Sequence, residues 1–304
     1  MAKRKSGLFP YFGGKALMIA ELQKLFDDLY YDCFYDLFGG SGAVTLNTEH
    51  RCYNQVLNDM DKSLAIVYIA IADRNLFYQF SDLVESMYAT TEQISESTKL
   101  WFNFVEHNPN CNLFELAKKD KKLFLELAAA SYLLHNVYYG GVIKDCQCIP
   151  NDETYDKFEK RKQLDMLEPW HDKLCDVKIT NMNALDTIDN FIANPSTDKV
   201  TLLYLDVPYL STNESDIKTG KTYTCGMSKD IHLQLLEKLN KLDKRYYKII
   251  ISNYANELYD RFAEENGWHK MFIKERPLAC KRDKNGETVN EYVYINYDPI
   301  IHGQ

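Results

Sequence analysis

The 304-residue chain has no run of about 18 uninterrupted apolar residues, the minimum for a membrane-spanning helix. Its basic start, Met1-Ala2-Lys3-Arg4-Lys5, is followed by no long apolar segment, so no secretory leader and a cytoplasmic location are expected. Paired cysteines are lacking too. Cys33, Cys52, Cys111, Cys146, Cys148, Cys175, Cys225 and Cys280 contain no Cys-x-x-Cys, and only Cys146 and Cys148 lie close together. That spacing does not assemble four zinc ligands, and reduced thiols without a metal are the expectation. Positive charge is also short. Lys and Arg number 36 against 44 Asp and Glu, a net −8 that weighs against nucleic acid as a partner. A local field counts for more than the sum, however. Between Trp268 and Lys284, six basic residues face two acidic ones, and Lys241, Lys244, Arg245 and Lys248 form a second basic group. These permit binding to an anion without requiring it.

What is present has the periodicity of an α/β protein. Cys33–Leu37 reads as a buried strand, followed by a glycine-rich turn and a short helix from Ala43. Asn54–Asn58 reads as a second strand, and Leu64, Val67, Tyr68 and Ile71 follow at helical spacing. Strand, helix, strand, helix implies parallel pairing with right-handed crossovers. From about residue 74 to 175 the pattern turns helical. Leu113, Leu116, Ala117, Leu123, Phe124, Leu127, Ala130, Ser131 and Leu134 trace one apolar face that stops near Gly140-Gly141. Strand signals return at Val177–Thr180, Val200–Leu205 and Tyr247–Ser252, with a helix over Ile231–Leu242. Asn285-Gly286, between Lys270–Ile273 and Glu291–Ile295, predicts a closing antiparallel hairpin. The sheet is thus expected to be mostly parallel and interrupted by a helical insert.

Three short motifs carry chemistry. Phe38-Gly39-Gly40-Ser41-Gly42 follows the first strand, and its glycines allow close backbone approach to a ligand. Asp59 ends the next strand, where a carboxylate accepts hydrogen bonds from the ribose hydroxyls of a nucleoside cofactor. The third glycine of G-x-G-x-x-G is missing, since Thr45 occupies that position, which disfavours a pyrophosphate and so a nicotinamide oxidoreductase. Asp206-Val207-Pro208-Tyr209 closes the apolar run Leu202–Leu205, at the strand end where α/β sheets bind ligands. There a carboxylate accepts from an exocyclic amine, a tyrosine ring stacks on a base, and a proline stiffens the loop. Pro10-Tyr11-Phe12-Gly13-Gly14-Lys15 opens an N-terminal helix, Leu17–Leu29, and aims an aromatic ring and a lysine at a ligand.

Taken in order, these stretches resemble the Dam-type (alpha-class) DNA adenine N6-methyltransferases, nearly end to end. Tyr11–Lys15 is similar to that family's aromatic-x-Gly-Gly-Lys, Phe34–Val44 to its cofactor loop, and Asn58–Leu64 to its ribose-binding stretch. Asp206–Tyr209 is similar to Asp-Pro-Pro-Tyr. Ser228–His232, Ile251-Ser252-Asn253 and Glu291–Asn296 are similar to the segments that follow it. The resemblance implies a Rossmann-like fold and S-adenosylmethionine as methyl donor, with residues 1–73 and 176–304 catalytic and 74–175 a target-recognition insert. It implies adenine, flipped from double-stranded DNA, as substrate. Asp206, Val207, Pro208 and Tyr209 are the expected catalytic residues. Tyr11, Lys15, Asp36, Phe38, Gly40, Gly42, Asp59 and Asp206 are expected at the cofactor. Asn136, Lys144, Asn183, Lys218, Lys221, Lys281 and Arg282 are expected at DNA.

Two departures stand out. Val207 replaces the first proline of the catalytic motif, and Asn183 replaces an acidic residue. In the insert no arginine is evident to read guanine bidentately, so a GATC target is not assumed. A monomer is the default, in a bacterial or phage-infected cytoplasm and with a cognate restriction endonuclease as a further partner. Two alternatives stay open: the same fold acting on amines of RNA or protein, and a relative weakened at Val207 that binds without turnover.

Overall fold

The computed structural model describes residues 7–11, 13–138, 141, 143, 151–210, 227–277 and 288–299. Among these, strands β1 (Cys33–Asp36), β2 (Asn54–Asn58), β3 (Val177–Thr180), β4 (Thr201–Asp206), β5 (Tyr247–Tyr254), β6 (His269–Pro277) and β7 (Thr288–Ile295) form one sheet. Its order is β3-β2-β1-β4-β5-β7-β6. The first five strands are parallel, and β7 pairs antiparallel with both β5 and β6. This is the Rossmann-like arrangement with an antiparallel closing pair. Chain order reverses between β1 and β4, and such a switch point leaves a crevice beyond the strand ends. β1 and β4 are paired as far as Asp36 and Tyr204, so β4 runs two residues farther, to Asp206.

Both faces of the sheet are covered, which explains why β4 is apolar and buried without alternation. Helix α1 (Ile19–Asp27), entered through a 3₁₀ turn at Lys15–Leu17, packs Ile19, Leu22 and Phe26 on one face. The other face carries α10 (Ala184–Ala193), α11 (Lys229–Asn240) and α12 (Glu257–Asn266) over Leu203, Leu205, Ile249 and Ile251.

Helix α2 (Ala43–Asn47) follows the glycine turn, and α3 (Lys62–Ala72) follows β2. α3 is buried on every side from Ser63 to Ile71, and such a helix needs partners all round. The helices between residues 74 and 175 supply them: α4 (Phe77–Ser86), α5 (Thr91–His107), α6 (Leu113–Lys119), α7 (Lys121–Val137), α8 (Asp152–Arg161) and α9 (Leu164–Leu174). Their apolar residues form one continuous core with Leu57, α3, Val177 and Ile179. The single apolar stripe expected from Leu113 to Leu134 is divided between α6 and α7. Asp120 breaks it by turning its side chain to the Leu123 amide (3.0 Å), an N-cap that hydrophobic spacing alone does not reveal. The hairpin turn at Asn285-Gly286 lies outside the described residues.

Candidate active site

The glycine turn after β1 is shaped by its neighbours. Gly40 and Gly42 take φ of +55° and +71°, values that side-chain-bearing residues seldom adopt. A Cβ on Gly39 would lie 2.6 Å from Leu57 Cδ1, and one on Gly40 would lie 3.0 Å from the Tyr11 ring. The Gly40 amide donates to Asp59 Oδ2 (2.9 Å) and its carbonyl accepts from the Tyr68 hydroxyl. Asp59 Oδ1 accepts from the Asp61 amide (2.9 Å), which fixes the carboxylate beside the turn. Asp36, at the end of β1, is 1% exposed. Its Oδ2 accepts from the Thr45 hydroxyl (2.8 Å), while Oδ1 has no hydrogen-bond partner. Thr45, the residue in place of a third glycine, therefore orients a carboxyl group. Burial pushes both Asp36 and Asp59 up to about 7, with the neighbouring carboxylates adding to the rise.

The second wall comes from the end of β4. Asp206 Oδ1 lies 2.6 Å from the Lys15 ammonium, which is almost fully buried. Lys15 also donates to the Gly13 carbonyl (3.1 Å) and to the Tyr209 hydroxyl (2.5 Å). That ammonium is 4.9 Å from the centre of the Tyr209 ring, so it lies near the C–O axis rather than over the ring face. Burial lowers the affinity of Lys15 for its proton. The carboxylates of Asp206 and Glu291 outweigh that and hold it above the ordinary lysine range. The Tyr209 hydroxyl lies 3.2 Å from both oxygens of Glu291, and its ring stacks on Tyr254 with centroids 4.0 Å apart. Val207 turns its side chain into the core beneath, 1% exposed among Leu37, Leu205 and Ile251.

Between these walls lies a cleft of about 290 Å³. Of the residues singled out from sequence, Tyr11, Lys15, Asp36, Phe38, Gly40, Asp59, Asn183, Asp206 and Pro208 line it. Asn183 sits on the Asp59 side, where it caps α10 by accepting from the Leu185 amide (2.9 Å). Gly42 is turned toward Leu46 and Tyr68. Asn136 is buried on α7, bonded to the Tyr132 carbonyl and to Arg161 (2.9 Å), and is not brought to the cleft. Lys144, Lys218, Lys221, Lys281 and Arg282 lie outside the described residues. In the basic stretch near the C-terminus, Lys270 pairs with Asp260 (2.7 Å) and Lys274 with Glu21 (2.9 Å). Sequence reasoning missed Met60, Met227 and Ile231, which add apolar wall to the cleft, and the place of Glu291. For Glu291 a signal was available: an acid at the head of the apolar, aromatic run Tyr292–Ile295.

The model of one protein family, D12 class N6 adenine-specific DNA methyltransferase, matches residues 11–273. The chain belongs to that family. This methyltransferase is also 23% identical over 303 residues to a Type II methyltransferase, M.MjaIII, from Methanocaldococcus jannaschii, covering 94% of this chain and 96% of that one. The adenine methyltransferase assignment agrees with the sheet order and with an acidic-x-Pro-Tyr motif at the cleft. The reaction is N6 methylation of adenine in DNA. No helix among the described residues is long and apolar enough to cross a membrane, and no group of three or more His, Cys, Asp or Glu side chains forms a metal site there.

Proposed function

We propose that this methyltransferase takes its methyl group from S-adenosylmethionine, bound along the wall made by β1 and β2, and delivers it to an adenine flipped out of duplex DNA. The observation that carries the reading is Asp36: a buried carboxyl with one oxygen unpartnered, in a cleft that also holds Asp59, Asp61 and Asp206 against Lys15. Such a donor set suits a ligand with cationic groups, and S-adenosylmethionine carries a sulfonium and an ammonium. When bound, the cofactor supplies an electrophilic methyl.

The rest is the work of the chain. Asp59, held by the Gly40 and Asp61 amides, keeps lone pairs for ribose hydroxyls. Phe38, Met60, Met227 and Ile231 offer apolar surface to a purine, with the Asn183 amide at its edge. Tyr11 borders the methionine end. Asp206, ion-paired with Lys15, accepts a hydrogen bond from the adenine amine, and the Val207 carbonyl accepts the second. Tyr209 presents a ring on which the base stacks. Base flipping is required because the amine of a stacked adenine cannot line up with the methyl. Positioning then provides most of the acceleration. Loss of the first proline at Val207 leaves the backbone carbonyl in place, so turnover is retained.

Residues 74–175 serve as the target-recognition insert in this reading. Its support is proximity: a Cβ on Gly141, in the loop after α7, would lie 2.2 Å from the Pro10 carbonyl and 3.2 Å from the Tyr11 ring. Asn136 is tied to Arg161 within that insert. Monomeric action, a cognate restriction endonuclease and a cytoplasmic location complete the proposal. The test is incubation with labelled S-adenosylmethionine and mixed-sequence duplex DNA, followed by assay for N6-methyladenine. Label that is lost in Asp206→Ala supports the reading, and label appearing only on RNA or protein overturns it.

A further inference from the structure

Glu291 is a glutamate with 0% exposure on a strand whose same-face neighbours, Val293 and Ile295, are core residues. An acid in such a place is unfavourable unless its charge is met. The cation opposite it on β6 is Lys274, whose ammonium goes to the Leu17 carbonyl and Glu21, each at 2.9 Å. On its other flank Glu291 pairs with Tyr254, whose ring supports Tyr209. Both carboxylate oxygens face the Tyr209 hydroxyl at 3.2 Å.

The direction of these hydrogen bonds follows from donor counting. An ammonium only donates, so the Tyr209 oxygen accepts from Lys15. The hydrogen of Tyr209 must then go to an acceptor, and the Glu291 carboxylate is one. A directed chain results, from Lys15 through Tyr209 to Glu291, while Lys15 separately reaches Asp206. We infer that Glu291 is a positioning residue for methyl transfer, fixing the Tyr209 ring and holding Lys15 against Asp206 from the far side of the tyrosine.

The need for it arises in the reaction itself. Methylation converts the amine to a cation that must release a proton, and in the proposed reading Asp206 already accepts a hydrogen bond from that amine. Whenever Asp206 shares that proton, Lys15 loses part of the charge that keeps a buried ammonium ionised. Glu291 is the second carboxylate bearing on Lys15, and at 0% exposure it is not part of the cleft lining. The groups facing Lys15 are Tyr204 and Asp206 from β4, Tyr209 beyond it and Glu291 from β7. Lys274 and Glu21 neutralise each other alongside.

The inference rests on the proposed catalytic reading, so its test has one arm that needs no activity. Wild type, Glu291→Gln and Glu291→Ala are assayed for kcat and for KM toward S-adenosylmethionine and mixed-sequence duplex DNA, from about pH 6.5 to 10. Without substrates, the Lys15 ε-carbon resonance, identified by its loss in Lys15→Arg, is titrated in wild type and Glu291→Gln. Expected are a kcat lowered about tenfold or more, an unchanged KM for S-adenosylmethionine and an earlier Lys15 titration in Glu291→Gln. A wild-type profile in that variant overturns the inference. So does a kcat lowered equally at all pH with Lys15 titrating as in wild type, since that is a structural defect only. If wild type methylates nothing, the catalytic reading falls, while the Lys15 titration still decides the role of Glu291.

Discussion

The two walls of the cleft treat charge in opposite ways. On the β1–β2 side, buried Asp36 and half-buried Asp59 lie beside like charges, one Asp36 oxygen has no partner, and both groups hold protons up to about pH 7. On the β4–β7 side, Asp206, Lys15, Tyr209 and Glu291 answer one another within 3.2 Å. In the proposed function the first wall is completed by a cation that arrives from outside. The second is complete beforehand, as a site must be if it is to orient a reacting amine without rearranging. The proposed function thereby divides binding and catalysis between the two sides of one switch point.

The sharpest way to break that division is Asp206→Ala. Methyl transfer should fall by about 10²–10³-fold or more while cofactor binding, measured by calorimetry, changes far less. Next in size is Asp59→Ala, which should raise KM for S-adenosylmethionine by about 10–100-fold with little change in KM for DNA. An equal rise in both would mean that the walls are not separate. Tyr209→Ala removes a stacking face worth about 1–3 kcal/mol per base. The loss should appear in kcat/KM for DNA, with cofactor affinity kept.

Asp36→Asn tests the cost of the open wall. An unfolded carboxyl ionises near pH 4, whereas folded Asp36 keeps its proton up to about 7. Between those values the unfolded state releases a proton that the native state retains, so native stability falls as pH rises and then levels off. The cofactor-free variant should therefore melt higher than wild type at about pH 8, by thermal scanning, and should bind S-adenosylmethionine more weakly. A variant that melts lower at that pH contradicts this account. Val207→Pro should have the smallest effect, with activity within about threefold and a slight loss of stability from the buried apolar area removed.

Much of this was legible in the residues. β2 and β3 were located at their observed limits, Asn54–Asn58 and Val177–Thr180. β4 was visible as an unbroken apolar run, and the cleft motifs stand where strand ends require them. The division at Asp120 was not visible, because a helix and its successor on the same core share one apolar period. The placement of Asn136 was hidden for a related reason. An amide on a helix looks the same whether it faces DNA or an arginine on the next helix, and Arg161 is 25 residues away. Thr45 was read for what it excludes, while its bond to Asp36 depends on the fold of the turn.

The helical block and α3 share one core, from Leu57 and Ser63–Ile71 outward to the helices of residues 77–174. The insert proposed for target recognition is consequently not a plug-in part. A chimera that imports residues 74–175 from a relative brings only one side of a buried contact surface, and the other side is α3, which begins three residues after Asp59. Exchange should succeed only when the outward residues of α3 travel with the insert.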